Sequence, residues 1–165
     1  MPPDLWRFAL TVYAQPGVTA ACLRLQDKGA DVCLLLCGAW LEQRGLACTA
    51  PRVQQLIALA GPWQAAVITP LRQLRQSWRT AALADAQVQG WREQIKALEL
   101  EAERELLRRL EQAVLSWPER EVQRAPDAWL ERLAPGADAG AEGAAGTDQE
   151  YCAALQRLRG AITVL

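Results

Sequence analysis

The sequence predicts an all-α protein, a compact helical domain around one buried central helix at about residues 31–44, with one long helix at about 86–117. Three observations predict it. From Val32 to Leu41 every residue is apolar or Gly, and a helix with no polar stripe has to be enclosed by protein or lipid. Ten residues fall short of the roughly 20 that span a bilayer, so the enclosure is protein. Residues 86–117 carry no proline and repeat apolar side chains at a spacing of three and four. No stretch alternates apolar and polar residues with the period of two that a strand shows.

Composition narrows the function classes. A length of 165 residues suits one domain with a real core. The net charge of -1 gives no general attraction to nucleic acid or to an anionic membrane, so neither is expected as a partner. The chain holds no His, its only serines are Ser77 and Ser116, and it has no glycine-rich phosphate loop. Histidine-based catalytic triads are thereby excluded. Met1-Pro2-Pro3-Asp4-Leu5-Trp6-Arg7 lacks the basic and then apolar regions of a secretory signal, so a cytoplasmic location is expected. Cys22, Cys33, Cys37 and Cys48 crowd into one apolar third while Cys152 stands apart, a pattern of reduced, buried small residues.

The elements follow in order. Asp4 caps a first helix to about Ala14, with Leu5, Phe8, Ala9 and Val12 on one face. A second helix, about 18–27, turns Ala21, Cys22 and Leu25 inward and is closed by Lys28-Gly29. Asp31 caps the central helix and Gly45 ends it. Thr49, with Pro51 in the first turn, starts a helix over 50–60. Gly61-Pro62 is expected to restart the chain, and Thr69-Pro70 to kink or restart it again. Leu71, Leu74, Trp78 and Ala81 then carry a helix to about Ala84.

The long helix has an expected seam of Val88, Trp91, Ile95, Leu98 and Ala102 that slips by one residue to Leu106, Leu110, Ala113 and Trp117. Pro118 ends it, at a length of roughly 48 Å. Its outer face mixes Glu99, Glu101, Glu103 and Glu105 with Arg104, Arg108 and Arg109, and Glu105 and Arg109 sit at i,i+4. The second half crowds Leu106, Leu107, Leu110, Val114 and Trp117 together, and something must cover them. The expected covers are the terminal helix at 149–163 or the same face of a second copy, a homodimer. Asp127 to Leu133 supplies one or two turns. Residues 134–148, rich in Gly and Ala with Asp138, Glu142 and Asp148, read as a flexible acidic linker. The expected division is a domain at 1–133, the linker at 134–148 and a terminal helix at 149–165.

Four groups of residues carry candidate chemistry. Asp27 and Asp31 form Asp-x3-Asp, and Glu99 and Glu103 repeat that spacing; carboxylates one turn apart can share Mg²⁺ and hold a diphosphate. Gly29 interrupts any helix between the aspartates, however, and Asp31 is better explained as a cap. Cys33 and Cys37 lie one turn apart among leucines, unlike the tight loops of structural zinc sites. Arg72, Arg75 and Arg79 form a stripe at i, i+3, i+7 that can grip a phosphate or an acidic partner. Its alternative is a solvated face paired with the Glu-rich side of the long helix. Seven tryptophans serve either core packing or the wall of a ligand groove.

Leu5-Trp6 with Ala9 and Tyr13, Gly17-Val18, Cys22-Leu23, Leu25-Gln26-Asp27, Gly29-x-Asp31-Val32, Leu34-Leu35-Leu36 and Trp40-Leu41 open a longer pattern. Trp63, Pro70-Leu71-Arg72 and Lys96-Ala97-x-Glu99-Leu100-Glu101-Ala102-Glu103 continue it. It resembles an uncharacterised family of small, all-helical proteobacterial proteins over about residues 5–110. The resemblance implies no established activity. The function expected from the residues is a non-enzymatic protein-interaction module without a cofactor. Its partner, not identified by the sequence, meets the Arg72/Arg75/Arg79 face or the Glu-rich face. The alternative is a Mg²⁺-dependent or small-ligand-binding helical protein using Asp27, Asp31, Glu99 and Glu103, which requires those carboxylates to converge.

Overall fold

A computed structural model describes residues 4–117, 129–135 and 149–163, and its regular structure is entirely helical. In chain order the helices are α1 (Leu5–Tyr13), α2 (Val18–Asp27), α3 (Val32–Gln43), α4 (Ala50–Trp63), α5 (Thr69–Ser77), α6 (Ala81–Ala84), α7 (Ala86–Leu115), α8 (Trp129–Leu133) and α9 (Gln149–Thr163). Pro118 and residues 136–148 of the expected linker lie outside the described residues.

The first third folds as its residues dictate. Asp4 accepts from the Arg7 N–H at 2.7 Å and Asp31 from the Leu34 N–H at 3.1 Å, so each carboxylate satisfies a donor that a helix start leaves free. Gly29 and Gly45 take φ of +87° and +66°, the left-handed turn that a residue with a Cβ adopts only at a cost. Every residue from Cys33 to Leu41 is buried, because α3 touches α1, α2, α4, α7, α8 and α9. Leu5, Phe8, Val12, Val18, Cys22 and Leu25 close over it from α1 and α2.

The middle of the chain departs from expectation at its prolines. Gly61-Pro62 does not restart it: α4 runs through Pro62 to Trp63, passes into a π-helical turn at Gln64–Ile68, and continues as α5. Thr69 N–H donates to the Gln64 carbonyl, five residues back. Proline lacks a donor and its ring presses on the carbonyl four residues earlier; widening the turn just before Pro70 moves that carbonyl aside, so the helix survives. Thr49 stands at the start of α4 without a side-chain cap bond. The helix expected to reach Ala84 breaks instead at Trp78–Thr80, after the Ser77 hydroxyl bonds back to the Leu74 carbonyl at 2.8 Å.

The seam of α7 also differs. Trp91 and Leu98 are half exposed, while the inward line runs through Val88, Arg92, Ile95, Glu99, Ala102, Leu106, Leu110 and Val114. A charged residue holds a seam position because it is neutralised from α5, as described below. The second half of α7 is covered by α1, α3 and α4. Trp63 pins the junction, its indole N–H donating to the Ala102 carbonyl at 3.0 Å.

Helices α8 and α9 dock on the opposite side. Trp129 stacks on Trp117 with ring centroids 6.0 Å apart and donates to the Leu46 carbonyl at 2.8 Å. Gly38 lets α8 approach α3: a Cβ there would lie 2.9 Å from Leu133 Cδ1. α9 lies mainly along α2, with Leu158 fully buried and Arg159 paired to Glu42 and Glu131.

Candidate functional site

Beyond the core, α5, α6 and the first half of α7 pack as a helical hairpin. Neither α5 nor α6 buries a residue, and α7 buries none before Glu99. At the root of this hairpin two candidate groups from the sequence meet each other. Arg72 Nε donates to Glu99 Oε1 at 2.8 Å and its Nη2 to Glu103 Oε1 at 2.8 Å. Arg75 Nε donates to Glu99 Oε2 at 2.6 Å, with a longer bond of 3.3 Å from Nη2 to Oε1. Glu99 is buried. Burial alone would raise its carboxyl, but the bonds and charges of Arg75 and Arg72 outweigh that and hold it below the usual carboxylate range.

Glu103 follows the opposite course. Burial, with the charges of Glu99 and Asp31, raises its carboxyl against the opposing pull of Arg72. Asp31 is raised too, by burial, against its backbone N–H bonds and Arg72. Glu99 and Glu103 therefore share the two guanidinium groups directly, Arg72 acts on Asp31 through its charge, and Lys96 stands beside Glu99 and Glu103.

Directly beside this cluster, between α1, α3, the π turn, α5 and α7, lies a cavity of about 190 Å³. Trp6, Ala9, Leu10 and Tyr13 of α1 form one wall, Val32, Cys33 and Leu36 of α3 another, and Leu100 and Leu107 of α7 a third. Gln26, Gln64, Arg72 and Glu103 supply its polar groups. The Gln64 Oε1 is buried with no hydrogen-bond partner among the described residues, an arrangement that costs about 1–3 kcal/mol unless something donates to it. Burial drives the Tyr13 hydroxyl far above its ordinary pKa, and it lifts the neighbouring Cys22 thiol to about 11. Both stay protonated at neutral pH. Cys33 is likewise raised by burial, so the cavity offers no thiolate.

The structure thus brings together Arg72, Arg75, Glu99, Glu103 and Asp31 and leaves Arg79 and Asp27 apart and exposed. Arg72 and Arg75 are turned inward to carboxylates, so the stripe does not face an outside partner as a unit. Glu99 has both oxygens taken by guanidinium groups, and a cation there would have to displace them. Among the described residues no group of three or more His, Cys, Asp or Glu is placed to hold a metal ion, and no helix is long and apolar enough to cross a membrane. Sequence reasoning missed Gln64 and the cavity role of Tyr13. Only the paired prolines at 62 and 70 signalled that the backbone around Gln64 is unusual.

This chain belongs to the family DUF2390, described as protein of unknown function, which it matches over residues 4–110. No curated protein and no solved structure matches it. Every residue that lines the cavity falls inside the matched span.

Proposed function

We propose that this DUF2390 chain is a helical small-molecule-binding domain, with the cavity between α1, α3, α5 and α7 as its site. One observation carries the reading: a partly enclosed apolar space of about 190 Å³ has a cluster of mutually constrained polar groups at one end. Such a combination is the usual form of a ligand site. Its size suits a ring or a short branched chain, since an engineered cavity of about 150 Å³ takes benzene. This is the small-ligand alternative of the sequence reading, moved from Mg²⁺ to an organic body, with Glu103 of its four carboxylates kept and Arg72 brought in from the arginine stripe.

The experiment is a thermal-shift series with ethylbenzene and indole on the full chain and on Ala9→Leu, which fills the space from the α1 wall. The expected result is a rise in melting temperature that grows with probe concentration and disappears in the variant. No shift with either probe, or an equal shift in Ala9→Leu, refutes the reading.

A second reading, the protein-interaction module, is favoured by the hairpin. Leu83 is 88% exposed, and Trp91, Leu98 and Leu74 join it on an element that buries nothing of its own. The occupant that fits is a second copy, because two helical hairpins side by side complete a four-helix bundle. Light scattering that gives a dimer for the chain and a monomer for Leu83→Ser/Trp91→Ser supports it; a monomeric chain refutes it.

A further inference from the structure

We infer that the ligand of the cavity is an organic ammonium ion, an apolar body carrying one positively charged amine that it presents to Glu103. The inference rests on the reading of the cavity as a ligand site and adds the chemical class of what enters it.

Charge decides first. The charged side chains that line the cavity are Arg72 and Glu103, and Arg72 is already bonded to both Glu99 and Glu103, while Lys96 stands beside Glu99 and Glu103 in an adjoining recess. Glu99 consumes three of the four guanidinium bonds there, and Glu103 receives the fourth. The side chain of Asp31 accepts from the Leu34 backbone N–H at 3.1 Å. A ligand that brings a carboxylate or phosphate would set its charge against the Glu103 carboxylate in a partly buried place, where like charges repel most strongly. A ligand that brings a cation completes the set.

Hydrogen bonding points the same way. Glu103 spends only Oε1, on Arg72, and its Oε2 accepts no bond among the described residues. Gln64 Oε1 is an acceptor without a donor. Two acceptors in the cavity lining therefore lack a donor, and an ammonium group has three donors to give. Arg72 has Nη1 to spare, which is the group an anion would use, but its charge is already shared by Glu99 and Glu103. The walls agree: Tyr13 and Trp6 bring aromatic rings to the lining, and aromatic rings attract a desolvated cation. Arg104 lies over the Trp6 ring at 5.3 Å but does not line the cavity.

The test uses probes of nearly equal shape on the full chain: 2-phenylethylamine, 2-phenylethanol, phenylacetate and ethylbenzene, with affinity read by calorimetry. The ammonium is expected to bind about tenfold or more tighter than the alcohol, as a bond to a charged group warrants, and the carboxylate weakest of all. Glu103→Gln, which keeps the shape and the acceptor for Arg72, is expected to erase the advantage of the amine over the alcohol while leaving ethylbenzene unchanged. If ethylbenzene and the alcohol bind but the amine gains nothing, or phenylacetate binds tightest, the ammonium inference is overturned and the cavity stands. If no probe binds, the cavity reading itself has failed. The ranking on the unaltered chain decides even where Glu103→Gln does not fold.

Discussion

Removing the Glu99 carboxylate tests the physical logic of the hairpin root. In Glu99→Ala three bonds disappear, at 2.8, 2.6 and 3.3 Å. Arg75 is left without its carboxylate, whereas Arg72 keeps Glu103. Breaking a buried pair by deleting one partner costs about 3–5 kcal/mol. Here the Glu99 side chain is 8% exposed, but the Arg72 and Arg75 side chains are 15% and 21% exposed and reach water in part. The expected loss is therefore below that range, about 2–3 kcal/mol at neutral pH. Because the folded carboxyl of Glu99 titrates below its unfolded value, its contribution is complete above about pH 4.3 and is lost as pH falls through the folded value. The penalty of the variant shrinks over the same window. Urea unfolding followed by circular dichroism at neutral pH and at about pH 3 measures both quantities. A variant within about 0.5 kcal/mol of the parent at neutral pH, or a penalty that does not diminish in acid, would refute the claim that Glu99 holds a seam position by its ion pairs.

Glu103→Gln should behave oppositely: the folded pKa of Glu103 is raised, so its favourable share is present in acid and lost as pH rises through that value. The variant is expected to gain stability over the parent near pH 7 and to match it near pH 4, which paired urea titrations would show. Leu35→Asp places an unpaired carboxylate at a fully buried position of α3 and should abolish soluble expression; normal expression and helical content would remove α3 from the centre of the fold. Gly38→Ala puts a Cβ 2.9 Å from Leu133 Cδ1 and 3.4 Å from Trp129 Cβ, which should cost about 1–3 kcal/mol in chemical denaturation and increase the proteolytic sensitivity of the segment around α8.

The helices whose signals are local were legible in advance. Asp4, Asp31, Gly29 and Gly45 act within one turn of themselves, and the uniformly apolar Cys33–Leu41 run announces full burial without knowledge of any partner. On the N-terminal side of Ala102 the seam of α7 was legible only at Val88 and Ile95, because hydrophobicity also selects Trp91 and Leu98. The true inward line includes Arg92 and Glu99, whose burial depends on groups of α5: Arg92 donates to the Arg75 backbone carbonyl and Glu99 accepts from the Arg72 and Arg75 side chains. The site was half legible for the same reason. Its charged residues stood out as two separate patterns, Arg-x2-Arg and Glu-x3-Glu, but their meeting is a product of the hairpin. The cavity wall uses ordinary core residues such as Ala9, Leu36 and Leu107, which no pattern distinguishes from others that merely fill space. The expectation that the second half of α7 needs a further cover overlooked the breadth of α1, α3 and α4 together.

The π turn at Gln64–Ile68 also sets an angle. Each residue of a regular helix advances the chain by about 100° around the axis, so a turn holding one residue too many works as a phase shifter between α4 and α5. Everything upstream is oriented by the core, everything downstream by that offset. Deleting a single residue from the turn would leave both helices intact as helices, yet swing Arg72 and Arg75 about a quarter-turn or more around the α5 axis, away from Glu99 and Glu103. The electrostatic match at the root of the hairpin is thus keyed to one extra residue in the backbone, and the dial on which it is set lies beside Pro70.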